Sequence, residues 1–284
     1  GYMAEFVWID GTSYAATSFG QFNEDSPTIW EPIDVSGLTF GTNGFYLDFE
    51  ASGNLGNDAN GGTDFTEANL AATDQATDTP TNNFATFNPL KFSIEDSAIR
   101  VPVFSEGNTT AQHDESGHKG PAFSTIGAST GKWYAEIKWT AVNGSYPVNQ
   151  YVGIVDFGAT AQKEWNALGI FYRGDGTKLV VNSSASFGDT YTTNDIIGVA
   201  MDLTNNFVYF AKNGAWQDSG DPTSGATGTG GISIDSGRVY GFMTEDYNNG
   251  ITVLNTGNPP YANTSSAADA DGYGNFEYAP PSGY

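Results

Sequence analysis

The clearest pattern of apolar and polar positions runs from Lys132 to Trp139. Trp133 and the next three odd-numbered positions are apolar, and the even-numbered positions are Lys, Tyr, Glu and Lys. Successive side chains of a strand point to opposite sides of a sheet, so a period of two is typical of a strand with one buried face. The segment is therefore predicted to be a half-buried β-strand.

Two further apolar runs follow closely, IIGVAMDL at 196–203 and FVYFA at 207–211. The turn formers Thr204 to Asn206 separate the runs, and the second run is followed by Asn213-Gly214, a strong hairpin signal. The pattern predicts three consecutive antiparallel strands.

Near the N-terminus, residues 1–9 and 45–49 are also predicted as strands. In the first, Met3, Glu5 and Val7 alternate with Ala4, Phe6 and Trp8; the second reads FYLDF. Unpaired strand edges tend to associate with other chains. The residues that we expect to anchor an interface between subunits are Phe6, Trp8, Phe45 and Phe49.

Between these regions, residues 69–83 consist largely of Ala, Thr, Asp and Asn, a composition typical of a linker or surface crossing. We therefore expect four parts. They are an acidic β-rich segment (1–90), a connecting region (91–130), a β-sandwich (131–257) and a C-terminal extension (258–284). Because residue 1 is not Met, we also expect a processed chain or a piece of a longer one.

Composition supports an all-β fold. The chain has 36 Gly, 19 Phe, 15 Tyr and 6 Trp in 284 residues, and aromatic residues suit pleated surfaces while glycines suit the turns between them. We predict an antiparallel β-sandwich preceded by the smaller acidic β-rich segment. With no Cys, the sequence excludes disulfides and thiolate chemistry.

The charge is strongly negative and unevenly distributed. The formal net charge is -23; residues 1–90 hold 13 acidic and no basic residues, and 91–284 hold 20 acidic and 10 basic ones. Nucleic-acid binding requires a basic surface, so nucleic acid is not an expected partner. The chain also has no apolar run long enough to cross a bilayer, so membrane insertion is not expected.

The strands from 131 to 257 resemble the SPRY family. The residues that carry the resemblance are Gly131, Trp133, Tyr134 and Glu136, then Ile197, Gly198, Val199 and Asp202, and finally Phe210 to Gly214. The family usually has Gly-Asp before the IGV strand, where this chain has Asn194-Asp195. The resemblance implies a two-sheet antiparallel sandwich whose loops carry any function.

Other stretches resemble structural proteins of tailed bacteriophages, especially marine ones. These are AFSTIGASTGKWY at 122–134 and YGNFEYAPPSGY at 273–284, while the first strand resembles the closing strand of a concanavalin A-like jelly roll. The resemblance implies a non-enzymatic virion protein, a tail-fibre or surface-appendage subunit that contacts other copies or other virion proteins. The alternative is a free-standing extracellular adhesin or lectin-like module that binds cell-surface glycan or protein.

Two groups of residues are candidate metal ligands. Asp48, Glu50, Ser52 and Asp58 have the oxygen spacing of a calcium loop, but Ala59 occupies the position of the bidentate acid. His113 and His118 lie in one predicted loop and could hold a transition metal. Calcium is the only cofactor that we expect to be worth testing.

Catalytic motifs are absent from the sequence, including the E-x-D-x-x-E run of concanavalin A-like glycosidases, and we do not expect an enzyme. Aromatic rings beside short polar residues can bind sugars. The set that is predicted at strand ends and loops of the sandwich is Trp165, Tyr172, Trp216, Asp246, Tyr247, Asn248 and Asn249.

Overall fold

The computed structural model forms two compact units, Gly1–Asn83 and Phe84–Tyr284. It describes residues 3–24, 27–75, 83–91, 93–95, 98–113, 120–142, 147–158, 169–246, 249–270 and 272–284. The division falls inside the predicted acidic segment, so the second unit starts before the predicted boundary at 90.

The first unit contains two small antiparallel sheets. Its strands are β1 (Phe6–Trp8), β2 (Gly20–Phe22), β3 (Trp30–Pro32) and β4 (Phe45–Leu47), with single 3-10 turns at Ala16–Ser18 and Ala72–Asp74. β1 pairs with β4, and β2 pairs with β3. The large apolar side chains buried among the described residues of this unit are Val35, Phe40 and Leu55.

The second unit is an antiparallel β-sandwich. Its strands are β5 (Ser93–Glu95), β6 (Ala98–Arg100), β7 (Val103–Ser105), β8 (Thr110–Gln112), β9 (Ala122–Ala128), β10 (Lys132–Ala141), β11 (Tyr151–Asp156), β12 (Gly169–Arg173), β13 (Thr177–Val180), β14 (Ser183–Ser186), β15 (Ile196–Asp202), β16 (Phe207–Lys212), β17 (Ala215–Trp216), β18 (Ile232–Ser233), β19 (Tyr240–Glu245) and β20 (Ile251–Asn255). Short 3-10 turns lie at Pro147–Asn149, Gln217–Ser219 and Gly225–Thr227.

Two sheets form the sandwich. The larger has the order β17-β16-β15-β10-β20-β8-β7, with β18 also on β16, and the smaller has the order β14-β13-β12-β11-β19-β9. β5 and β6 pair as a separate hairpin. The predicted all-β antiparallel fold is thus confirmed. In the part of the chain that the structure describes, no helix is long and apolar enough to cross a membrane.

The core lies between the sheets and follows the predicted alternation. On β10, Ala135, Ile137 and Trp139 are buried in it, together with Val199 of β15 and other apolar side chains from both sheets. Trp133 departs from the pattern: it is 44% exposed, and its indole N–H donates to the Thr130 carbonyl. The start of β10 therefore lies at the edge of the core.

The predicted connecting region, 91–130, contains strands of the sandwich itself. β7 and β8 form one edge of the larger sheet, and β9 forms one edge of the smaller sheet. These strands are short or polar, so their sequence patterns are weak. Their pairing with β20 and β19, far along the chain, places them in the sheets.

The C-terminal segment, 258–284, covers the outer face of the larger sheet. Phe276 and Tyr284 are buried there against Tyr134 and Tyr209. The rings of Tyr134 and Phe276 lie 5.2 Å apart, and the Tyr284 hydroxyl donates to the Pro222 carbonyl over 3.2 Å. Both faces of this sheet are thus removed from water around β10.

The carboxylate of Glu136 anchors this segment. Glu136 is fully buried; Oε2 accepts from the Glu277 amide at 2.9 Å and Oε1 from the Tyr278 amide at 2.7 Å. Asn255 also donates its side-chain amide to Oε2 over 3.2 Å. Burial raises the pKa of the Glu136 carboxyl, although these donors oppose the shift.

A second buried polar group, His113, links the end of β8 to β20. Nδ1 lies 2.6 Å from the Gly120 carbonyl, which can only accept, so Nδ1 carries the proton. Nε2 lies 3.1 Å from Thr252 Oγ1 and accepts from it. Both ring nitrogens are occupied, and burial lowers the pKa of His113 to about 4. His113 is therefore a neutral structural residue rather than the predicted metal ligand; His118 lies outside the described residues.

We expect Glu136→Ala to lower the free energy of unfolding by about 2–4 kcal/mol, because two main-chain amides and the Asn255 amide lose their acceptor in a largely buried place. Urea unfolding measures the loss, and Asp235→Asn, at an exposed carboxylate, is the control with an expected change below about 0.5 kcal/mol. Limited proteolysis should also cut residues 258–284 faster in the Ala variant. Equal stability of the variant and the control would contradict this anchoring role.

We expect the sandwich to lose stability as the pH falls from about 6.5 to about 4. The pKa of His113 is about 4 in the folded chain and 6.5 as its ordinary value, so the unfolded state binds more protons in this window. The loss amounts to about 3 kcal/mol at most and levels off below pH 4. Urea midpoints of wild type and His113→Gln across this range measure it. A pH dependence that is the same in both proteins would rule out this role of His113.

Candidate functional site

The strand β1 presents two different surfaces in the N-terminal unit. Phe6 and Trp8 lie on one face of the β1–β4 sheet, and Val7 lies on the other, as the sequence alternation predicts. Residue Glu5 directly precedes the strand. Aromatic side chains and a small pocket therefore lie on opposite sides of one short strand.

The aromatic face is a row of four side chains, Phe6, Trp8, Phe45 and Phe65, which we call the aromatic row. Phe45 stacks on Phe6 and Trp8 with centroid distances of 5.8 and 6.5 Å, and Phe65 meets its edge at 4.8 Å. Phe6, Trp8 and Phe65 are 40%, 54% and 47% exposed. Adjacent exposed rings of this kind make the aromatic row the candidate contact surface of the unit.

Three of the four predicted interface residues belong to this row. Phe49, the fourth, has a left-handed φ of 59°, and its carbonyl accepts from Gln75 Nε2 at 2.7 Å. Among the described residues, no ring contact joins Phe49 to the row. Phe65 gives no sequence signal of its own, because it lies at the end of a polar loop without periodicity.

The opposite face of β1 borders a pocket of about 220 Å³. Its lining consists of Glu5, Val7, Phe19, Ile33 and Val35. Four of these five side chains are apolar, and Glu5 supplies the single charged group. This composition, apolar walls with one well-placed polar group, is the usual one for a ligand site, at a size below that of drug-binding pockets.

The carboxylate of Glu5 is held by the hydroxyl of Tyr46, which donates a short hydrogen bond to Oε2. Burial and the negative charge of Glu5 raise the pKa of Tyr46 well above its usual range, and the charges of Asp48 and Asp34 add to the shift. Tyr46 is therefore a protonated donor at neutral pH. The negative potential around it favours a cationic ligand over an anionic one.

The predicted calcium ligands do not converge. Asp58 is buried, and its Oδ1 accepts from the amides of Tyr46 and Asn60 at 2.9 and 3.1 Å. Asp48 accepts from the amide of Glu50 at 3.0 Å, while Ser52 lies in a separate turn. Within the described residues, no group of three or more Asp, Glu or His side chains is arranged to hold a metal ion. These carboxylates shape turns instead.

The predicted glycan-binding set does not form one exposed surface in the described chain. Tyr172 is fully buried between the sheets, and its ring packs on Phe187 and Tyr191 at 5.4 and 5.1 Å.

The other members of the set are scattered. Trp216 packs at the outer face of the larger sheet, and Asp246 is fully buried. Asn249, at the end of the same loop, accepts from Gln112 Nε2. Trp165, Tyr247 and Asn248 lie outside the described residues. Tyr172 in particular has no ring face open to a sugar, because strand β12 directs it into the core.

Comparisons with known proteins bear on the fold alone. No protein-family model matches the chain, and no curated protein matches it. Among solved structures, the crystal structure of the SPRY domain of human HERC1 is similar, with a TM-score of 0.44 and 15% identity over 59% of this chain and 96% of that one. The strand pairing of the chain itself establishes an antiparallel β-sandwich, and a SPRY domain is among its structural neighbours.

Proposed function

We propose that the chain is a non-enzymatic structural subunit of a virion, a tail-fibre or surface-appendage component whose N-terminal unit makes the contacts between subunits. One observation carries the contact role: the described residues of this unit bury three large apolar side chains and leave three of the four rings of the aromatic row exposed. The virion assignment rests on the resemblance of stretches 122–134 and 273–284 to phage structural proteins.

The size of the N-terminal core supports the need for a partner. Ordering the backbone costs about 1–2 kcal/mol per residue, and a fully buried large apolar side chain returns about 1.5–3 kcal/mol. A unit of this length needs more than three such side chains, or a partner surface, to be stable. Covering the aromatic row would supply that burial.

The two stretches with the phage resemblance also contact each other in the fold. Residues 122–134 include β9 and the start of β10, and Phe276 of the second stretch packs on Tyr134 of the first, with ring centroids 5.2 Å apart. The resemblance thus concerns residues that build the sandwich, which is consistent with a structural role.

The partner that we propose for the aromatic row is the sandwich of a second copy. All 10 basic residues of the chain lie beyond residue 90, whereas the N-terminal unit has 13 acidic residues and none that is basic. Contact between two N-terminal units would therefore meet the strongest repulsion. Such a contact joins the N-terminal unit of one copy to the sandwich of the next, so it can repeat from copy to copy. Repeated contacts of this kind build rings or fibres, as an appendage requires.

We expect the purified chain to form oligomers that depend on the aromatic row. Phe6→Ser combined with Trp8→Ser should yield monomers, since it removes both rings that β1 contributes to the aromatic row. The control is Phe22→Ser, which alters an exposed ring on the separate β2–β3 hairpin and should leave the mass unchanged. Size-exclusion chromatography with light scattering gives the masses. A monomeric wild type that binds glycans would favour the adhesin alternative instead.

Ionic conditions give an independent test of the same contact. Low ionic strength with a chelator should loosen the assembly, because both units are net acidic and repel each other, while divalent ions bridge carboxylates. Raising the salt concentration should preserve or strengthen it. Dissociation at high salt would show that attractive ion pairs hold the subunits and would refute an apolar contact.

A further inference from the structure

We infer that the pocket beside β1 binds a lysine side chain presented by a partner protein. The site is distinct from the aromatic row, because it lies on the other face of the β1–β4 sheet. It also stands apart from the proposed assembly role. Its ligand class follows from the walls, the position of Glu5 and the charge of the unit.

The lining of the pocket matches the apolar stem and the charged end of a lysine side chain. Val7, Phe19, Ile33 and Val35 provide an apolar lining, and Glu5 supplies the carboxylate. A lysine side chain has an apolar four-carbon stem and a charged end, so it can bury the stem while its ammonium reaches a carboxylate. At about 220 Å³ the pocket is many times larger than the space that one water needs, so it can admit one such side chain.

The hydrogen bonding of Glu5 leaves its carboxylate able to accept from an incoming cation. Tyr46 occupies Oε2 of the carboxylate. In the described part of the chain, Oε1 has no hydrogen-bond donor. Each carboxylate oxygen can accept more than one hydrogen bond, so the bond from Tyr46 leaves both oxygens of Glu5 available to a cationic donor. An ammonium needs only one accessible oxygen.

The charge of the unit favours a cationic ligand, and the backbone of Glu5 is strained. The N-terminal unit has no Lys or Arg of its own to neutralise Glu5, and the charges of Asp34 and Asp48 act on the same hydroxyl, that of Tyr46. Glu5 also has a left-handed φ of 49°. Non-glycine residues hold this strained conformation where the surrounding structure requires it, often at binding sites.

The test is an NMR titration of the full chain with lysine capped as an Nα-acetyl methylamide. We expect saturable binding with a Kd on the order of 1 mM. Norleucine with the same caps, which keeps the stem and lacks the charge, should bind at least about tenfold more weakly.

Variants separate the pocket from general electrostatics. Glu5→Gln keeps an acceptor for Tyr46 and should weaken lysine binding about tenfold or more, whereas Glu50→Gln, an exposed acid of the same unit, should change it less than about twofold. The inference is overturned if no probe binds, if Glu5→Gln and Glu50→Gln behave alike, or if norleucine binds as well as lysine. Oligomer masses are read separately, so a failure here leaves the assembly test intact.

Discussion

The buried carboxylate of Glu136 is the constraint on which the sandwich depends. A fully buried charged group requires hydrogen-bond donors, and here the main-chain amides of Glu277 and Tyr278 supply two of them. The C-terminal segment must therefore lie across the larger sheet. Once it is there, Tyr134 and Phe276 pack together, and the central strand β10 is buried on both faces.

The two units use their apolar residues in opposite ways. The sandwich encloses a core between its sheets and a second cluster under the C-terminal segment. The N-terminal unit instead buries Val35, Phe40 and Leu55 and displays larger aromatic rings. The sandwich thus has its own core, whereas the N-terminal unit would gain apolar burial from a contact. This difference is the physical basis of the proposed subunit role.

The alternation of a single short strand produces both candidate surfaces of the N-terminal unit. Phe6 and Trp8 face the aromatic row, while Val7 faces the pocket whose rim carries Glu5. One face suits a broad apolar contact and the other a single cationic side chain. The two can be occupied at the same time, because the sheet separates them.

The sequence by itself determined the strands that have a clear alternation, because side-chain direction along a strand has a fixed period. The burial of Ala135, Ile137 and Trp139, and the common face of Phe6 and Trp8, follow from that period alone. Only the tertiary structure decided which strands pair and what covers each face. Tyr172 lies in the core rather than at a binding surface, Glu136 is buried rather than solvated, and Glu5 meets Phe19 and Ile33 in one pocket. Each of these outcomes depends on contacts between segments that are far apart in sequence. Local periodicity gives the direction of a side chain but does not show which distant segment packs against it.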